Sequence, residues 1–247
     1  GVILAGALLL MLPVSSATHC VTPFLSALFT STTSVCVTGL IVVDTGTYWS
    51  VFGQAVILVL IQIGGMGVVT VAAAVTIVSG RKIGLMQRST MQEAISAPKV
   101  GGIVRLTGFI VRVTLVMELL CAAVMAPVFC RDFGKKGLWM ALFHSVSAFC
   151  NAGFDLLGVR TPFSSLTSYA ANPVINFTIM FLIVFGGIGF LTWDDIRTNR
   201  LHLRKYRMQS KVILCTTAVL LIAPAMYFYF FEFDDLTRKE RLLSSLF

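Results

Sequence analysis

The chain has 247 residues, of which 57% are hydrophobic and 12% charged, and its mean hydropathy is +0.89. A soluble domain carries about a quarter charged residues, so this composition excludes a soluble globular protein and places the chain in a bilayer. The formal charge of +8 does not imply nucleic acid, because the basic residues sit in loops between apolar stretches with no interleaved aromatics to stack on bases.

In chain order, residues 1–13 are apolar and lack both a basic leader and a small-residue cleavage site, which predicts a first membrane helix rather than a signal peptide. Residues 23–40 are too short and too rich in Ser and Thr to span, which predicts a re-entrant segment. A long apolar stretch follows at 49–79, enough for a helix across about 30 Å of hydrocarbon. Arg81, Lys82, Arg88, Lys99 and Arg105 then flank a basic loop at 80–102. Residues 103–129 predict the next span, interrupted by Arg112 and Glu118, with Arg112 expected to snorkel to the interface and Glu118 to make a polar contact with a neighbouring helix. Residues 138–154 form a second short semi-polar segment, and 173–192 a further span. Arg197, Arg200, Arg204, Lys205, Arg207 and Lys211 fill a second basic loop at 194–211, followed by an apolar stretch at 212–231. The positive-inside rule puts both basic loops in the cytoplasm, while the loops carrying Asp44, Asp132, Asp155 and Asp235 face outward. No ten-residue alternation appears, so the spans are helices.

An internal repeat organises these pieces. Residues 27–39 realign without gaps on 141–153, an offset of 114 from Phe29 to Phe143, with Ser31 on Ser145, Cys36 on Cys150 and Gly39 on Gly153. The spans that follow share a second signature, Gly64-Gly65-Met66-Gly67 with Thr70 and Gly186-Gly187-Ile188-Gly189 with Thr192, at an offset of 122. The difference places an insertion in the outer loop near 158–172, and Ser244-Ser245-Leu246-Phe247 echoes Ser26-Ala27-Leu28-Phe29 as the start of a third copy. The expected organisation is an all-α membrane protein of parallel helix, pore-loop, helix repeats around a central pore: 1–79, then 103–193, joined by the loop 80–102, with the loop 194–211 leading to a third repeat at 212–247 that is cut short.

The chemistry lies in the repeated short segments. A helix ending inside a protein-lined cavity aims about half a negative charge at its contents, which favours a cation. Past that end, Ser34 to Gly39 reads as extended backbone offering carbonyl oxygens to one side, as in a selectivity filter. Glycine at the end allows backbone angles that a side chain forbids. The Gly-Gly-x-Gly motifs lack the strand and lysine of a nucleotide loop, and predict close packing against the pore loops. Cys20, Cys36, Cys121, Cys130, Cys150 and Cys215 form no Cys-x-x-Cys pair and His19, His144 and His202 are scattered, so no transition-metal or redox site is legible. His144 aligns with Thr30 as a polar-face residue of the short helix.

With Val37-Thr38-Gly39-Leu40, Asn151-Ala152-Gly153-Phe154, both Gly-Gly-x-Gly motifs and Gly189-Phe190 before Trp193-Asp194-Asp195-Ile196, nearly the whole chain resembles the Ktr/Trk superfamily of bacterial potassium-uptake pore subunits, with its Ktr branch favoured. The resemblance implies four linked repeats around one pore, and filter carbonyls from Cys36, Val37, Thr38 and Gly39 and from Cys150, Asn151, Ala152 and Gly153. It further implies potassium as the transported ion, with sodium dependence left open, no covalently bound cofactor, a homodimer in the bacterial cytoplasmic membrane, and nucleotide-binding regulatory subunits on the cytoplasmic side. Two other classes compete: an alternating-access carrier, which needs inverted repeats or broken spanning helices, and an intramembrane enzyme, for which no Ser/His, paired-Asp or metal constellation is visible in the spans.

Overall fold

The structure, a computed structural model, describes residues 1–67, 70–72, 75, 103–200, 202–232 and 238–246. The predicted loop at 80–102 with Arg81, Lys82, Arg88 and Lys99, and also Asp235 and Phe247, lie outside the described residues. Among the described residues the regular structure is helical, apart from an isolated bridge between Ser16 and Trp49. The helices are α1 (Val2–Met11), α2 (Phe24–Val35), α3 (Thr45–Tyr48), α4 (Val51–Met66), α5 (Ile103–Phe133), α6 (Lys136–Phe149), α7 (Pro173–Gly187), α8 (Phe190–Asn199), α9 (Met208–Tyr227) and α10 (Arg238–Leu246). By length and composition, Val104–Phe133 and Met208–Glu232 are long and apolar enough to cross a membrane. The chain is accordingly a helical membrane protein.

Two compact units divide it, Gly1–Val68 with Val116–Ser168, and Val69–Leu115 with Tyr169–Phe247. In the first, α1, α2 and α4 pack on one another, α6 packs on α4, and the core is filled by Leu10, Ile57, Ile61, Met125, Phe129 and Phe143. α4 begins where Ser50 accepts from the Gly53 amide at 3.2 Å, a side-chain cap on an otherwise orphaned donor. The short helices α2 and α6 are semi-polar yet enclosed: Thr30, Ser31, Thr33 and Ser34 are buried on one, and His144, Ser145 and Ser147 on the other. The hydroxyls buried on these two helices each find a hydrogen-bond partner. Thr30 donates to Ser26 O at 2.9 Å and Ser34 to Thr30 O at 2.6 Å. His144 lies buried, its Nδ1 2.7 Å from Met140 O and its ring stacked on Phe129.

In the second unit the expected span at 173–192 is not one helix. α7 starts cleanly, with Asn172 accepting from the Val174 and Ile175 amides and Pro173 at the first turn. It then breaks, and α8 leaves at 94°. The break falls on Gly189, whose φ of +83 is a left-handed value that glycine adopts without a Cβ penalty. Across it the Trp193 indole donates to Phe185 O at 3.0 Å and stacks on the Phe185 ring. The first copy's last motif glycine behaves alike: Gly67 ends α4 at φ +81. The motif therefore breaks helices as well as packing them.

The acidic pair after Trp193 secures the start of α9. Asp195, 4% exposed, accepts from the Arg207 amide at 3.0 Å and from Ser210 Oγ at 2.6 Å, and Arg207 also pairs with Asp194 at 3.3 Å. Removing the buried carboxylate strands both donors, so Asp195→Ala is expected to destabilise by about 1–3 kcal/mol. Asp194→Ala, which loses one partly exposed ion pair, is expected to stay within about 1 kcal/mol. Thermal unfolding of the detergent-solubilised full-length protein separates the two. Arg112 is exposed.

Candidate functional site

The repeat seen in the sequence is repeated in backbone detail within the first unit. α2 and α6 end at equivalent positions, with Cys36 and Cys150 as their C-terminal caps. Helix α2 runs on to Val35, past the expected end near Thr33. One residue beyond each cap, Val37 and Asn151 both take φ +56, and Gly39 and Gly153 take φ +75 and +72. The expected extended run is thus corrected: left-handed residues sit at the second and fourth positions of each loop. A β-branched valine at positive φ is a costly conformation that persists only where its surroundings over-determine it.

The two copies share the hydrogen bonds that run from each loop's amides back to its short helix. The amide of Thr38 donates to Thr33 O at 3.0 Å, and its counterpart Ala152 to Ser147 O at 2.8 Å. The amides of Leu40 and Phe154 each donate at 3.0 Å to the hydroxyl of Thr33 and Ser147, respectively. Ser31 Oγ donates to Ile3 O, and Ser145 Oγ to Glu118 O, both at 2.7 Å, which ties each short helix to the helix before it. Thr33 is also hydrogen-bonded through its hydroxyl to Thr38, and Ser147 donates to Phe154 O at 2.6 Å. Because Phe154 is 3% exposed and Leu40 63% exposed, Ser147→Ala leaves buried main-chain groups unpaired whereas Thr33→Ala opens its loop to solvent. The expected loss is about 1–3 kcal/mol for Ser147→Ala and about 1 kcal/mol for Thr33→Ala, read from the melting temperatures of the full-length protein.

The two loops meet at their glycines. A Cβ placed on Gly39 would lie 2.8 Å from Ala152 O and 3.2 Å from Gly153 Cα, and one placed on Gly153 would lie 3.2 Å from Gly39 Cα. Of the eight expected filter residues, Cys36 and Thr38 are exposed while Cys150 and Ala152 are buried. α4 lies against both loops: a Cβ on Gly64 would strike Val35 O and come 3.0 Å from Val37 Cγ2, and one on Gly65 would strike the Cys150 side chain. The expected packing role of the first Gly-Gly-x-Gly motif is therefore met at Gly64 and Gly65. Beyond the loops, Asp44 caps α3 through the amides of Gly46 and Thr47 and accepts from the Phe163 amide at 3.0 Å, joining the segments that follow the two loops.

Two features escaped the sequence reading. The hydroxyl at Thr33 and Ser147 was legible in principle, since both fall on the 114-residue offset and both are small hydroxyl residues. The other is the partner of Glu118. Its carboxylate accepts from Gln62 Nε2 of α4, at 3.0 Å on one oxygen and 3.3 Å on the other, and the residue is 2% exposed. This is the neighbouring-helix contact expected for Glu118, but nothing in the spacing pointed to Gln62.

Comparison with known proteins gives a consistent picture. The profile of the TrkH family, described as cation transport protein, matches residues 3–224. The potassium/sodium uptake protein NtpJ of Enterococcus hirae is 37% identical over 99% of this chain and 54% of its own length. The Ktr system potassium uptake protein B of Bacillus subtilis is 38% identical over 94% of this chain and 51% of its own, and that of Vibrio alginolyticus 35% identical over 94% and 50%. The chain spans about half the length of these curated relatives.

Proposed function

The chain belongs to the TrkH family of cation transport proteins, and from that premise we propose that it supplies two of the helix, pore-loop, helix units that surround one potassium-conducting pore. The observation that carries the reading is the meeting of two repeat-equivalent loops, glycine to glycine, each at the C-terminal end of a short enclosed helix. The negative ends of α2 and α6 favour a cation beside the loops. Left-handed residues at the second and fourth positions of each loop suit a filter in which the carbonyls of Cys36, Val37, Thr38 and Gly39, and of Cys150, Asn151, Ala152 and Gly153, replace the hydration shell of the ion. Ions shed water against these oxygens and descend their electrochemical gradient. No covalently bound cofactor takes part.

The relatives' names, potassium uptake and potassium/sodium uptake, support potassium as cargo and leave room for sodium as a second or coupling ion. On this reading the protein is a multi-pass protein of the bacterial cytoplasmic membrane and works as a homodimer. Its basic segment with Arg197, Arg200, Arg204, Lys205 and Lys211 faces the cytoplasm, where nucleotide-binding regulatory subunits dock. The decisive experiment is potassium and sodium uptake by the full-length protein in a bacterium lacking its own potassium-uptake systems. Growth and uptake at low external potassium are expected; their absence at normal membrane amounts of protein overturns the reading.

An alternating-access carrier has one observation in its favour, the helix broken at Gly189, since broken spanning helices are a carrier feature. Parallel repeats with matching loops weigh against it. The two are told apart by the turnover of the reconstituted protein: an open pore passes ions faster than the μs–ms conformational cycle that each transport event of a carrier requires.

A further inference from the structure

The Gln62–Glu118 contact has no equivalent in the other copy. Ser31 and Ser145 hold the main chain of the preceding helix in both repeats, but where the second copy has the Glu118 side chain the first has Ile3 and Leu4. At the 122-residue offset Gln62 corresponds to Val184, which has no amide to donate. The bridge therefore belongs to the joint between the repeats, linking the last helix of the first to the first helix of the second.

Its position is mechanically specific. Gln62 and Gly65 are one turn apart on α4 and share a face, and Gly65 abuts Cys150, the first residue of the second loop. Gly64, its neighbour, abuts Val35 at the root of the first loop. Glu118 accepts from Gln62 through its side chain and from Ser145, on the short helix that leads into the second loop, through its carbonyl. A shift of α4 relative to α5 would thus move one loop against the other.

We propose that Gln62 and Glu118 are positioning residues that fix the second pore loop against the first, and so set the discrimination between potassium and sodium. The proposal rests on the pore reading above. A polar pair with one buried partner can fix register between elements, and two residues acting as one unit give non-additive effects when both are removed.

The test measures potassium and sodium uptake by the full-length protein carrying Gln62→Leu, Glu118→Ala, Glu118→Gln or the pair Gln62→Leu with Glu118→Ala, with Gly153→Ser run beside them. Gln62→Leu and Glu118→Ala are each expected to raise the potassium KM and the sodium-to-potassium rate ratio about fivefold, with the pair no worse than the stronger single variant. Glu118→Gln keeps the size and an acceptor for the Gln62 amide, and is expected to stay within about twofold of the parent. If Gln62→Leu and Glu118→Ala lower only the amount of protein in the membrane while KM and the rate ratio hold, the pair is a packing contact and the inference fails. If Glu118→Gln is as damaging as Glu118→Ala, the carboxylate itself matters and the positioning role also fails. Should Gly153→Ser leave transport untouched, it is the pore reading that falls.

Discussion

Serine at Gly39 or Gly153 is expected to cut potassium uptake by the full-length protein, at matched membrane amounts, by roughly five- to a hundredfold. Both glycines sit at left-handed φ, +75 and +72, where any side chain is strained. Both also lack room, for a Cβ on either approaches the Cα of the other to 3.2 Å. Gly39 is the more confined, since its added atom would also lie 2.8 Å from Ala152 O, so Gly39→Ser is expected to be the more damaging. Strain of about 1–3 kcal/mol at one residue, relieved by shifting the loop, corresponds to the stated range. Because each substitution disturbs one shared contact, the double variant is expected to be less than the product of the two singles. Radiotracer or rubidium uptake, with sodium as competitor, reads both affinity and selectivity. Unchanged transport in both variants identifies these as packing glycines and returns the carrier reading.

The second large effect concerns the helix between the loops. Gly64→Ala drives a methyl into the main-chain oxygen of Val35, which belongs to a helix end and has nowhere to move. Gly65→Ala instead meets the Cys150 side chain, whose Sγ and Cβ can be removed by a second substitution. Over-packing costs about 1–3 kcal/mol where neighbours can adjust and more where they cannot. Gly64→Ala is therefore expected to lose most of its folded protein in detergent, as judged by fluorescence-detected gel filtration after heating. Gly65→Ala is expected to lose less and to be partly rescued by Cys150→Gly. Equal damage from both, with no rescue, would show that α4 packs on the loops by surfaces other than these two glycines.

Composition alone placed the chain in a membrane, and the gapless 114-residue offset located both loops to the residue, because a repeat preserves the positions that glycine must occupy. The short helices were legible too, since Ser and Thr in a stretch too short to span have to be enclosed by protein. Less was legible where the same residue types serve two ends. Gly-Gly-Ile-Gly predicted close packing, but the last glycine in each motif is a break, and hydropathy, which runs on smoothly through 173–192, carries no sign of a 94° bend. Likewise the loops read as extended because Val, Thr and Cys favour that conformation; the left-handed Val37 is imposed by the hydrogen bonds from Thr38 and Leu40 back to Thr33.

What the sequence determined by itself was therefore periodic or compositional: apolar helices and two equivalent loops. These follow from burial and from repetition, which act residue by residue along the chain. What only the tertiary structure decided was which residues meet across it. Gln62 finds Glu118 fifty-six positions away, Asp44 finds the Phe163 amide at a separation of 119, and Gly39 faces Gly153. Such pairings depend on how helices pack in three dimensions, where backbone atoms a few ångströms apart can lie anywhere in the sequence, so no local pattern records them.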